Sequence, residues 1–101
     1  MERALVLAHL AADEGEIPVG AVVVKNNKII GEGRNRREKE KTPLAHAEIE
    51  AIHNAAKALG DWRLSGCELY VTLEPCCMCA GAIVNARLSA LVFGAYDGTA
   101  G

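Results

Sequence analysis

Apolar positions fall into helical and strand-like blocks in turn along the chain. Residues 2–14 carry Leu5, Val6, Leu7, Ala8, Leu10, Ala11 and Ala12, a broad apolar face, and Gly15 offers a stop, so a helix is expected there. Pro18 opens Val19-Gly20-Ala21-Val22-Val23-Val24, a run too short and β-branched for a helix, which reads as a buried strand. Asn26-Asn27 is a hairpin turn, because Asn tolerates positive φ, and residues 28–33 form the returning strand. The charged stretch from Arg34 to Leu44, ending in Thr42-Pro43, is a loop. A second helix spans His46 to Leu59 on Ala47, Ile49, Ala51, Ile52, Ala55 and Ala56, with Gly60 closing it. Residues 61–66 connect to an alternating strand over 67–73. A third helix covers about 76–86, and residues 89–94 form a fourth strand.

The order α, β, β, α, β, α, β predicts a single three-layer α/β/α domain over residues 1–101. In it a hairpin continues through crossover helices into parallel strands of a mixed sheet. The fourth strand would be an apolar edge, which proteins usually cover. A partner or a further segment of chain is therefore expected over it.

Composition narrows the setting. The chain has 101 residues, half of them apolar, and a net charge of −2. No global basic field draws it to nucleic acid, so any such binding must use a local patch. No apolar run approaches the roughly 20 residues of a membrane span. The amphipathic start, Met1-Glu2-Arg3-Ala4-Leu5, lacks a signal peptide's apolar centre. A cytoplasmic protein without membrane contact is the expectation. Its four cysteines then read as metal-binding or catalytic ahead of disulfides.

Cys76 and Cys79 sit three apart in the first turn of the third helix, so both sulfurs can face one ligand. The helix N-terminus lowers thiol pKa values and favours the thiolates that a metal needs. His46 and Glu48 open the second helix. In mid-helix their spacing would part them, but side chains of a first turn can reach past the helix end. If the two helix N-termini face each other, His46, Cys76 and Cys79 converge on one metal with Glu48 beside it. Three N/S ligands with an open fourth position suit a catalytic zinc ion, one per chain. Such an ion lowers the pKa of its water toward ~7, and Glu48 is the natural group to take and return the proton.

His-x-Glu followed by Pro-Cys-x-x-Cys is the signature of the zinc-dependent cytidine and purine deaminase superfamily, which the chain resembles at these residues. Within it the resemblance is closest to the bacterial tRNA adenosine deaminases. It is carried by Glu16-Ile17-Pro18-Val19-Gly20-Ala21, Gly31-Glu32-Gly33-Arg34-Asn35-Arg36, Ala45-His46-Ala47-Glu48-Ile49, residues 70–82 and Val92-Phe93-Gly94-Ala95-Tyr96-Asp97. The resemblance implies a homodimer that converts the wobble adenosine of a tRNA anticodon loop to inosine. Zinc-activated water would add to C6, Glu48 would move protons and ammonia would leave. It also implies that Asn35 hydrogen-bonds the flipped-out base. Val19 and Pro75 would line the pocket, the Ala47 backbone would touch the base edge, and Asp97 would meet the RNA. The family continues past this point with another strand and a helix, so the domain is expected to be truncated at its C-terminus. Thr42, before Pro43, stands where this branch often has an acidic residue.

Each residue has a plainer reading. A closed structural zinc site would use Glu48 or Cys77 as fourth ligand, although Cys77 should point about 100° away from Cys76. Cys67 reads as a small buried hydrophobe, His53 as a surface or packing histidine, and His9 gives no signal. Arg34, Arg36, Arg37, Lys39 and Lys41 alternate with Glu38 and Glu40, either as a solvated loop or as an RNA-backbone contact. Asn35 could merely cap a turn. Trp62 could stack on a base, but packing against the second helix is the stronger expectation. Two rival functions stand beside RNA editing: deamination of a free base such as guanine or cytosine, and a non-catalytic zinc-stabilised module.

Overall fold

A computed structural model describes residues 1–36, 41, 46–72 and 77–94, with backbone alone for 77 and 78. The elements, in chain order, are α1 (Glu2–Asp13), β1 (Gly20–Lys25), β2 (Lys28–Arg34), α2 (Ala47–Leu59), β3 (Glu68–Val71), α3 (Cys77–Asn85) and β4 (Ala90–Phe93). The sheet runs β2-β1-β3-β4. β1 pairs antiparallel with both β2 and β3, and the parallel pair is β3 with β4. The hairpin therefore does not lead directly into parallel strands: β3 first returns antiparallel beside β1.

Period-2 alternation sorts the strands' side chains between two helical layers. Ala21, Val23, Leu69 and Val71 point to the α2 side, where Ala47, Ala51, Ala55, Leu64, Cys67 and Ala86 complete the larger core. Val22, with Val24 and Tyr70, points to the other side and packs on Ala4 and Leu7 of α1. The result is the expected three-layer α/β/α domain. The turn at Asn26-Asn27 has φ of 52° and 64°, as a two-residue hairpin of the primed type requires. A bulge follows, because Val23 pairs with Gly31 but Val24 pairs with Ile29. Ile30 is the extra residue, and its side chain joins the α2-side core.

Helix ends follow local chemistry. Gly15 takes φ 79° just past α1. α2 starts after an extended His46, carries Glu48 and Glu50 in its first turn and Lys57 in its last, and closes on left-handed Gly60. Its seat on the sheet is set by small residues on both sides. A Cβ at Gly31 would overlap the Ala51 carbonyl, and one at Gly33 would overlap the Ala47 carbonyl. Alanine at every fourth helix position thus rides on glycine at every second strand position. A Cβ at Gly20 would likewise collide with the Ala4 carbonyl, so α1 lies as close to β1.

The first helix uses only part of its apolar surface. Ala4, Leu7, Ala8 and Ala11 are buried, whereas Leu5, Val6 and Leu10 are 40–49% exposed. Trp62 is 57% exposed, more open than a packing role would leave it, and the guanidinium groups of Arg63 and Arg87 lie over its ring. Arg34 belongs to β2 and not to a loop, and it forms a two-bonded ion pair with Glu14. Arg36 is tied to Glu50 at 3.0 Å. Cys67 and His53 behave as expected, the first fully buried and the second exposed. Among the described residues no helix is long and apolar enough to cross a membrane.

Candidate functional site

Gly33 beneath Ala47 fixes where the N-terminus of α2 lies, beside the end of β2. His46 is the residue that caps this end, and its extended backbone turns the imidazole past the helix. Ala47 is fully buried and Glu48 is 5% exposed. Cys79 arrives from the first turn of α3 and is fully buried. Its Sγ lies 3.4 Å from Nδ1 of His46. The Glu48 carboxyl sits against the same sulfur, which hydrogen-bonds to it. Burial raises the Glu48 pKa above its ordinary value. Its own backbone N–H, the Cys79 hydrogen bond and the nearby His46 charge pull against that shift without cancelling it. Three reactive side chains therefore meet where the ends of two helices converge.

The sheet delivers a second set of groups to the same end. Asn35 follows β2 directly, and its N–H donates to the Val19 carbonyl at 3.1 Å. Both residues are buried, and Asn35 Oδ1 has no hydrogen-bond partner among the described residues. Thr72 ties the next strand in: its N–H donates to the Gly20 carbonyl at 3.0 Å, and its Oγ1 accepts from the Gly20 N–H at 3.1 Å. Thr72 escaped the sequence reading. It falls inside the strand expected over 67–73, and no feature of the sequence marks it out. Cys76, Pro75 and Asp97 lie outside the described residues; of the expected set the structure joins His46, Glu48 and Cys79, places Ala47 and Val19 in one core cluster, and ties Asn35 to Val19.

Whether this end suits a metal can be tested on the donor pair. Two ligands of one tetrahedral zinc, a thiolate at ~2.3 Å and an imidazole nitrogen at ~2.05 Å, are separated by roughly 3.5 Å. The separation of 3.4 Å fits that value. Among the described residues no group of three His, Cys, Asp or Glu side chains is arranged to hold an ion by itself. A zinc ion at this pair would need a third ligand from outside the described residues, where Cys76 lies in the sequence. A separate groove of about 540 Å³ runs along the β2 edge, lined in part by Arg3, Ile29, Glu32 and Asn54. None of the three reactive side chains lines it, and the Arg3–Glu32 ion pair at 2.6 Å stands in it. The small buried end described above, not this groove, carries the reactive groups.

A mixed sheet between α1 and the α2–α3 layer, with His46, Glu48 and Cys79 gathered at two helix starts, defines a cytidine-deaminase-like domain. The chain belongs to the MafB19-like deaminase family, which it matches over residues 1–100. It is 54% identical over 97 residues to the tRNA-specific adenosine deaminase of Bacillus subtilis, covering 96% of this chain and 60% of that protein. A structure from work on A-to-I editing by tRNA:A34 deaminases superposes with a TM-score of 0.96 at 48% identity. That match covers all of this chain and 73% of the other. Guanine deaminase from Bacillus subtilis superposes at 0.90 with 45% identity, covering 94% of this chain and 61% of that one. The chain spans about three fifths of the length of the curated relatives it matches.

Proposed function

We propose that this chain is the catalytic domain of a deaminase that hydrolyses the wobble adenosine of a tRNA anticodon loop to inosine. The carrying observation is the meeting of Cys79 Sγ and His46 Nδ1 at 3.4 Å with the buried Glu48 carboxyl against the same sulfur. Similarity to tRNA-specific adenosine deaminases over nearly the whole chain supports the choice of substrate. His46, Cys76 and Cys79 would hold one zinc ion per chain, and that ion would supply the Lewis acidity that makes a water nucleophilic near neutral pH.

The chain's own groups do the rest. In the net reaction a C6–O bond forms, the C6–N bond breaks, and water and adenosine become inosine and ammonia. Glu48 takes the proton from the attacking water and passes it to the departing nitrogen. Its raised pKa suits this task, because the proton must leave as readily as it arrives. Asn35 Oδ1, buried and with its acceptor open, would take an N–H from the base edge. Val19 and the Ala47 backbone would form pocket wall, with Pro75 beside them and Asp97 on the RNA outside. A cytoplasmic homodimer is the assembly that this reading carries.

A second reading follows from the 45% identity to a guanine deaminase: the same residues could act on a free base. Ammonia release separates the two. An adenosine-containing anticodon stem-loop should turn over, while guanine, cytosine and free adenosine should not. Turnover of a free base with an inert stem-loop would replace the first reading by the second. Release from neither, with zinc bound, would favour a non-catalytic module.

A further inference from the structure

Trp62 lies in the connector between α2 and β3, with 57% of its surface exposed. Arg63 places its guanidinium 5.2 Å from the ring centroid, and Arg87 places its own at 5.8 Å. Both distances fall within cation–π range. The two arginines come from places far apart in sequence: Arg63 is next to the tryptophan, and Arg87 ends the turn after α3 with a left-handed φ of 63°. Asp61 is the carboxylate paired here, to Arg63 at 3.4 Å, with both side chains about half exposed. Exposed pairs of this kind are worth little, so Arg63 can exchange the carboxylate for another anion.

We infer that Trp62, Arg63 and Arg87 form a second nucleic-acid contact, remote from the deaminase site, that stacks an unpaired base of the bound RNA and grips a neighbouring phosphate. The exposed part of the indole offers a flat surface that a base can stack on, and the two guanidiniums offer planar forks that match phosphate oxygens. Stacking on the ring holds both arginines in place beforehand, which lowers the entropy lost when they engage a phosphate. The chain as a whole is acidic, so a cationic aromatic cluster is a local exception and not part of a general field.

Its position sets what it can do. His46 and Gly60 cap opposite ends of α2, about 20 Å apart at 1.5 Å per residue. Trp62 lies just past the far end. At physiological salt charges are screened over ~8 Å, so this cluster acts on RNA capture and register and not on the reacting base. A single nucleotide in the deaminase site does not reach it. A folded RNA of several nucleotides does, which makes the cluster a sensor of substrate size. The inference rests on the RNA reading above for its ligand, but not on Glu48 chemistry.

The experiment measures binding of an adenosine-containing RNA stem-loop by fluorescence anisotropy at several salt concentrations. Wild type, Trp62→Ala and Arg87→Gln are compared, and oligomeric state is followed by light scattering. Trp62→Ala should weaken binding about tenfold, as loss of one stacked base does. Arg87→Gln should reduce the slope of log affinity against log salt by about one, as loss of one phosphate contact does. Both residues are on the surface, so melting temperature should hold, and two independent variants guard against a folding artefact. Unchanged affinity and salt slope, failure of the wild type to bind the stem-loop, or altered self-association with intact RNA binding would each overturn the inference. If the stem-loop is bound and the variants weaken it, but no ammonia is released, the contact stands and the catalytic reading falls.

Discussion

Cys79 Sγ and His46 Nδ1 stand 3.4 Å apart although 33 residues separate them in the chain. Two helix ends on one side of the sheet create this contact, and its separation is that of two ligands on one tetrahedral zinc, roughly 3.5 Å. Substitution of either residue should therefore abolish stoichiometric zinc. His46→Ala and Cys79→Ala, purified in parallel and assayed by atomic absorption, should each fall from about one ion per chain toward zero, as should Cys76→Ala. Full zinc in Cys79→Ala would remove this residue from the ligand set.

Glu48→Gln separates proton transfer from metal binding. The amide nearly matches the carboxyl in size and keeps its hydrogen-bonding place at the Cys79 sulfur, but it cannot carry a proton. Zinc content and melting temperature should stay near wild type, while ammonia release drops by about 10²–10⁴-fold, the usual worth of a positioned acid–base group. Loss of zinc in this variant would instead make Glu48 a ligand.

The seat of α2 gives a prediction with its own control. A Cβ at Gly33 would overlap the Ala47 carbonyl, one residue from both His46 and Glu48, whereas a Cβ at Gly81 meets nothing within 4 Å. Gly33→Ala must push the start of α2 off the sheet. The expected cost is about 1–3 kcal/mol, as for other overpacked sites, with reduced zinc retention. Gly81→Ala, in an exposed helical position, should be neutral or stabilise by up to ~1 kcal/mol. Urea midpoints of the two variants check this, and a Gly33→Ala chain as stable as wild type would contradict the close approach.

Much of this was readable from periodicity. Ala47, Ile49, Ala51, Ile52, Ala55 and Ala56 predict the second helix, the β-branched run over 19–24 predicts a buried strand, and alternation over 67–73 predicts a further strand. The close seat of Ala51 on Gly31 and of Ala47 on Gly33 shows only in the structure, where α2 packs on β2. Hydrophobicity alone could not show that Leu5, Val6 and Leu10 would stay exposed while Ala4 is buried, because both sides of α1 are apolar. The contact of Arg87 with Trp62 joins two connectors 25 positions apart, and no local signal links them. Thr72 contributes through one hydroxyl bond to Gly20, which only the register of β1 against β3 creates.

Cys67 supplies an alkaline test of the core. Burial raises its thiol above the ordinary 9.0, with Lys25 opposing the shift. The folded chain therefore keeps a proton that the unfolded chain gives up. A raised pKa means stability fully present below about pH 9 and declining as pH rises through the folded value. Unfolding free energy measured between pH 7 and pH 10.5 should fall more steeply in wild type than in Cys67→Ala, which lacks the proton. Parallel curves would show that the thiol is not protected.

The two edges of the sheet are treated differently, and this leads to a prediction on association. On β2, Arg3 and Glu32 form a two-bonded ion pair, and Asn54 Nδ2 donates to the Glu32 carbonyl at 2.9 Å. Charges and a side-chain bond thus occupy that edge, a usual defence against strand addition. At the other edge Leu91, Val92 and Phe93 of β4 are 36%, 41% and 42% exposed. An apolar strand with open backbone groups pairs readily with another chain. Val92→Lys should raise the concentration at which this chain self-associates by roughly tenfold, about the worth of one buried valine contact. Sedimentation velocity over a concentration series checks this. Identical profiles for wild type and Val92→Lys would show that β4 is not the contact and direct attention to the exposed face of α1.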